Sequence, residues 1–143
     1  MNTLGLVAAI TAFLTIWIGH VAVRKIEANT RVIAIPMLVA IVLGLITEYC
    51  SLITDNRSLK TALGILGITL LWDAFEIYRQ QNRIKHGHAP ANPNNPRHVK
   101  ILAEYSTATT LNLLKRDPIG RQVSPEEAPK LIHHEEHEVS QRS

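Results

Sequence analysis

Apolar and polar positions are distributed unevenly along this chain. Residues 3–23 carry no charged side chain, and the run stops at Arg24 and Lys25. At 1.5 Å per residue, about 21 residues reach about 30 Å, the thickness of a bilayer's hydrocarbon core. A second apolar run, residues 32–53, has Pro36 near its first turn, where a missing N–H costs little, and Glu48 as its single charge. A third, residues 59–78, passes from Gly64 to Trp72 and on into Asp73, Glu76 and Tyr78 without a break. A helix that is apolar on every face must be buried all round, and lipid is the economical partner. Loops as short as 24–31 and 54–58 make the three spans run up, down, up as antiparallel neighbours. The pattern therefore predicts an all-α fold, a three-helix transmembrane bundle over residues 1–80.

Beyond Tyr78 the pattern changes. Residues 78–86, with Arg79, Gln80, Arg83 and Ile84, predict a helix that leaves the bilayer among lipid phosphates and stops by Gly87. Residues 81–98 thus read as an interfacial exit helix and a Pro/Asn-rich strip. Pro90, Pro93 and Pro96 exclude regular helix or a central strand, so an extended, surface-lying strip is expected, with Pro90, Asn92, Pro93 and Arg97 as its partner-binding residues. Residues 99–143 read as a polar tail. Residues 99–116 predict a short helix of weak period, Asp117-Pro118 a turn, Pro129 a break, and the histidine-rich end too little apolar area to order itself without a partner.

Composition sharpens this division. The 143 residues are 46% hydrophobic with a net charge of +3, an average over two unlike halves. The basic residues follow the ends of the apolar runs and form no dense block with aromatic neighbours, which argues against a nucleic-acid partner. Arg24, Lys25 and Arg31 lie in the first loop and Arg79, Arg83 and Lys85 after the third span, against Arg57 and Lys60 in the second loop. The side richer in Lys and Arg is cytoplasmic, which puts the N-terminus outside and the C-terminus inside, with those six residues at lipid headgroups. Charge that follows the first run predicts a retained span, not a cleaved signal. Cys50 is the single cysteine, so no intrachain disulfide forms.

The ionisable residues inside the spans are the candidate chemistry. His20 falls about 12 Å from the bilayer centre, Glu76 at similar depth, and Asp73 one turn deeper on the face of Glu76. A charge exposed to hydrocarbon there costs roughly 2 to 4 kcal/mol, so these carboxylates should face the bundle interior, pair, or take up a proton. His20, Asp73 and Glu76 form either a proton-carrying or quinone-facing cluster or, as the favoured expectation, a packing contact worth roughly 0.6 kcal/mol, in which Glu76 and His20 share an interhelical hydrogen bond and Asp73 pairs with lipid, water or Arg79. Glu48, about 8 Å from the midplane, has no basic residue at matching depth, so it sits uncharged or takes its mate from a partner subunit. Trp17, Tyr49, Trp72 and Tyr78 read as interfacial aromatics.

Haem b would need two axial histidines from facing helices, and His20 alone lies in a span, with His86, His88 and His98 beyond the third. No cofactor is predicted, quinone and haem b ranking as weaker alternatives to lipid contacts alone. His133 and His137 share a helix face near Glu136, but His134 stands where a zinc protease carries glutamate, so the pair is read as an adventitious binder and no metal site is predicted. The chain carries no phosphate-cradling glycine loop, nucleophile–base pair or paired soluble carboxylates, so no catalytic residue and no stand-alone enzyme are predicted.

Trp72, Glu76, Gln80 or Gln81, Arg83-Ile84, Gly87, Pro90, Asn92 and Pro93, together with Gly5-Leu6 and Gly19-His20, resemble the family called domain of unknown function 4491. Its members are small bacterial membrane proteins whose third helix ends in a similar Trp, Glu and Arg pattern. The resemblance covers residues 1–97, departs at His88, where the family has an aromatic, and in the first loop, and implies membrane architecture without chemistry. It implies the bacterial inner membrane as location. The expected function is a non-catalytic accessory subunit of a larger inner-membrane complex, a respiratory or redox one among the candidates, anchored in lipid and strapping a partner subunit with its tail. A membrane subunit handling quinone or protons, and a small oligomeric transporter or channel, are the alternatives.

Overall fold

The computed structural model describes residues 3–112, which form four helices: α1 (Thr3–Asn29), α2 (Ala34–Ile53), α3 (Arg57–Lys85) and α4 (Pro96–Glu104). No strand occurs among the described residues. The first three are long and apolar enough to cross a membrane, and the protein is a membrane protein of the all-α class. Two boundaries differ from the sequence expectation. Helix α1 runs six residues past the end of its apolar run, so Arg24 to Asn29 are helical and not loop. Helix α4 begins at Pro96 and ends at Glu104, earlier at both ends than the weak period of residues 99–116 suggested. Proline is tolerated at a first helical position because the N–H it lacks would be unpaired there anyway. Asn95 caps the turn, its Oδ1 accepting from the Arg97 N–H at 3.0 Å.

Helix α3 is the axis of the bundle. α1 and α2 each pack along it, while these two sequence neighbours hardly touch one another. Consecutive helices on a short loop were expected to pack together, but small residues decide otherwise, because they let helix axes approach closely in lipid. A methyl group added at Gly44 of α2 would meet Leu71 Cγ at 2.8 Å and the Gly67 carbonyl oxygen at 3.1 Å, both on α3. One added at Gly19 of α1 would meet the Asp73 carboxylate at 2.6 Å. Hydroxyls join the same seams: Ser51 Oγ donates to the Lys60 carbonyl at 2.9 Å, and the Thr15 and Thr69 hydroxyls are 3.3 Å apart.

Outward faces are apolar, with Phe13 at 69% and Leu52 at 73% exposure, surfaces that only lipid or another protein can cover. The largest block of buried hydrophobic side chains lies beyond the spans. There Ile84, Ala89, Ala91 and Ile101 cluster, with Leu102 and Ala108 against them, seating α4 beside the end of α3. Gly87, at φ +72°, turns the chain out of α3, and its missing side chain admits the Thr107 carbonyl oxygen.

Candidate functional site

The polar strip after α3 folds inward onto the chain's own α1. Helices leave their last carbonyls unpaired, and at the end of α1 Asn29 Nδ2 turns back to Lys25 O at 2.7 Å and the Thr30 N–H to Ile26 O at 2.9 Å, which leaves the carbonyls of Glu27, Ala28 and Thr30 to other donors. The Nδ2 groups of Asn92 and Asn95 both donate to the Ala28 carbonyl at 3.0 Å, and Asn95 Nδ2 donates also to Thr30 O at 3.0 Å. Arg97 donates through Nε to Thr30 O at 3.2 Å and through Nη2 to Glu27 O at 2.5 Å, placing a cation at the negative end of the α1 dipole.

At the centre of this latch Glu27 is 1% exposed and His98 fully buried. Arg97 Nη2 lies 2.7 Å and His98 Nε2 3.1 Å from Glu27 Oε1. The tautomer follows from the other ring nitrogen. Nδ1 accepts the Asn92 N–H at 2.8 Å, so in the neutral ring Nε2 carries the proton and donates to Glu27. Glu27 Oε2 and Arg97 Nη1 are buried with no hydrogen-bond partner.

Beside the latch, the ends of α1 and α3 enclose a polar groove. Glu76, 4% exposed, pairs with Arg83 Nη1 at 2.9 Å and Arg79 Nη1 at 3.4 Å. Arg83 also donates to Gln80 Oε1 at 3.3 Å. His20, Arg24, Glu76, Gln80 and Arg83 line a cavity of about 350 Å³, and a neighbouring one of about 340 Å³ shares Arg24, Gln80 and Arg83 and reaches Glu27 and His88. Deeper, His20 and Asp73 meet Ile16, Ile68 and Trp72 around a third cavity of about 350 Å³. On the far side of α1, Asp73 is in the floor of an apolar groove of about 510 Å³ between α1 and α2. The carboxylate passes beneath α1 because Gly19 leaves room for it, and Glu48 lies in the same way against Gly67.

His20, Asp73 and Glu76 therefore gather along the α1/α3 seam, but Glu76 pairs with arginines of its own helix and not with His20. Glu48 has a glycine beside its carboxylate and no ion pair among the described residues. Of the headgroup candidates, Arg24 and Arg83 enter the groove, Lys25 and Arg31 are exposed, Arg79 lies 5.9 Å from the Phe75 ring, and Lys85 lies 5.1 Å from that of Tyr105. Within the strip expected to be extended, Asn92 and Arg97 bind α1 and are not laid open, while Pro90 and Pro93 are exposed. A strip with three side-chain donors next to the open carbonyls at a helix end satisfies both by folding back. His133, His137, Asp117-Pro118 and Pro129 lie outside the described residues.

The sequence assigned no site role to Glu27 or Asn95, placed Gln80 in the exit helix, and weighed His98 only as a haem ligand. A signal for Glu27 was present: Gly19, Val23 and Glu27, the buried residues of α1, follow one another at a spacing of four, one continuous helix face. Asn95-Pro96 is likewise a cap followed by an N1 proline.

Compared with known protein families, residues 2–95 match the family model described as domain of unknown function (DUF4491). No curated protein and no solved structure matches the chain.

Proposed function

We propose a function from one premise: the chain belongs to the DUF4491 family. The protein is a non-catalytic accessory subunit of a larger inner-membrane complex, with its N-terminus outside and its C-terminus in the cytoplasm. It seats a transmembrane helix of a partner subunit in the groove that α1 and α2 leave open over α3, and residues beyond the latch strap the same partner. The supporting observation is the groove itself. Leu70, Asp73 and Ile77 form its floor, Val23, Ile26, Val39 and Leu43 its walls, and α1 and α2 do not close it. Asp73 gives this otherwise apolar floor one hydrogen-bonding group, which a polar side chain on a partner helix can engage. Orientation follows from the excess of Lys and Arg after α1 and α3.

Site-directed photocrosslinking in native membranes tests this reading. A photoreactive residue at Val39, on the groove wall, is expected to capture one partner of defined mass, while one at Leu45, on a different face of α2, captures lipid. Equal protein capture at both positions, or capture of lipid alone at Val39, refutes it.

A further inference from the structure

We infer that the α1/α3 seam holds one anionic phospholipid, its phosphate between Arg24 and Arg83. Arg24 and Arg83 do not line the helix-docking groove, which shares Val23 and Asp73 with this seam. Three properties of the seam carry the inference.

The first is charge. Arg79 and Arg83 share one carboxylate, Glu76, while Arg97 takes Glu27 and Arg24 has no ion pair among the described residues. Four guanidinium groups against two carboxylates leave a surplus of two positive charges at the end of the bundle. Arg24 spends only Nε, donating to the His20 carbonyl at 3.3 Å, so both its terminal nitrogens remain for an anion. Arginine suits a phosphate because its planar fork meets two oxygens at once.

The second is depth. Arg24 directly follows the apolar run of α1, and Arg83 stands about 7.5 Å beyond Tyr78 on α3, the level at which lipid phosphates lie. Gln80 lines both polar cavities with them.

The third is the order of the cavities, and it separates lipid from free phosphate. The polar cavity at Arg24 and Arg83 shares His20 with the cavity beneath it, which is walled by Ile16, Ile68 and Trp72, with Thr69 and Asp73 on its α3 side. A mouth with two arginines above a slot with three large apolar side chains matches a headgroup above an acyl chain that lies along Ile16, Ile68 and Trp72. Inorganic phosphate would use the mouth and leave the slot without purpose.

The experiment measures lipid retention by native mass spectrometry on the full chain in mild detergent, after delipidation and addition of phosphatidylglycerol or phosphatidylcholine with the same acyl chains. One phosphatidylglycerol per chain is expected to stay bound, in preference to phosphatidylcholine. Arg24→Gln, at an exposed position without a carboxylate partner, should weaken retention about fivefold, whereas Lys60→Gln, in the first turn of α3 and so at the other end of the bundle, should leave it unchanged. Equal retention of both lipids, or undiminished phosphatidylglycerol in Arg24→Gln, overturns the site. Displacement of the lipid by millimolar inorganic phosphate would overturn the lipid assignment in favour of a soluble phosphate, and a co-purifying quinone in its place would overturn the phosphate chemistry.

Discussion

Arg97→Ala should release the latch without disturbing the three spans. Arg97 is 13% exposed at its side chain, so solvent screens its bond to Glu27 little, and the change removes the ion pair at 2.7 Å together with the donors to Glu27 O and Thr30 O. Glu27 would keep one donor, His98 Nε2, while 1% exposed. Removing one partner of a buried pair costs about 3 to 5 kcal/mol, chiefly the penalty of the orphaned charge. Helix α4 has nine residues and no independent stability to offset such a loss. What remains is the small cluster of Ile84, Ala89, Ala91 and Ile101 and the two asparagine amides. Opening of residues 88–104 should therefore become roughly 10²- to 5 × 10³-fold more frequent. Hydrogen–deuterium exchange in detergent measures this: α4 amides should exchange faster by that factor, with α2 and the middle of α3 unchanged. Replacing both partners by leucine should recover much of the protection, because no buried charge is left alone. Wild-type exchange of α4 in Arg97→Ala would refute the reasoning.

Gly44→Ala should lower the thermal stability of detergent-solubilised protein more than Gly64→Ala, by about 1 to 3 kcal/mol. At Gly44 the new methyl meets Leu71 and the Gly67 backbone, but at Gly64 only Ser51 Oγ at 3.3 Å, so equal shifts in melting temperature would contradict the α2/α3 packing. Gly87→Ala adds both the strain of a positive φ, roughly 1 to 2 kcal/mol, and a collision with the Thr107 carbonyl, so proteolysis after α3 should accelerate while the spans persist; an unchanged cleavage pattern would contradict the turn. Ser51→Ala leaves the Lys60 carbonyl without its side-chain donor and should cost about 0.5 to 1.5 kcal/mol in the same melting assay, a neutral result counting against that hydrogen bond. A cysteine placed at Asn2 in a Cys50→Ser background should react with impermeant reagents from outside the cell; labelling from the cytoplasm alone would reverse the orientation.

The membrane architecture was legible in the chain because transfer to lipid is a property of each residue summed along a helix, independent of what the helix touches. Three uninterrupted apolar runs had no other solvent, and Asp73, Glu76 and His20 stood out because charge there is rare and costly. Which helices pack together was not legible from loop length. It rests on Gly19, Gly44 and Gly67, whose importance is the space they leave for Asp73, Leu71 and Glu48 on a neighbour far away in the chain. The latch was hidden for the same reason. Glu27 looked like loop charge and Asn92, Asn95 and Arg97 like a free strip, because the open carbonyls of a helix end and a strip without partners reveal their complementarity only when folded together, 64 to 70 residues apart. Burial by lipid is decided residue by residue, whereas pairing of buried polar groups is decided by geometry between distant segments, and that part belonged to the tertiary structure alone.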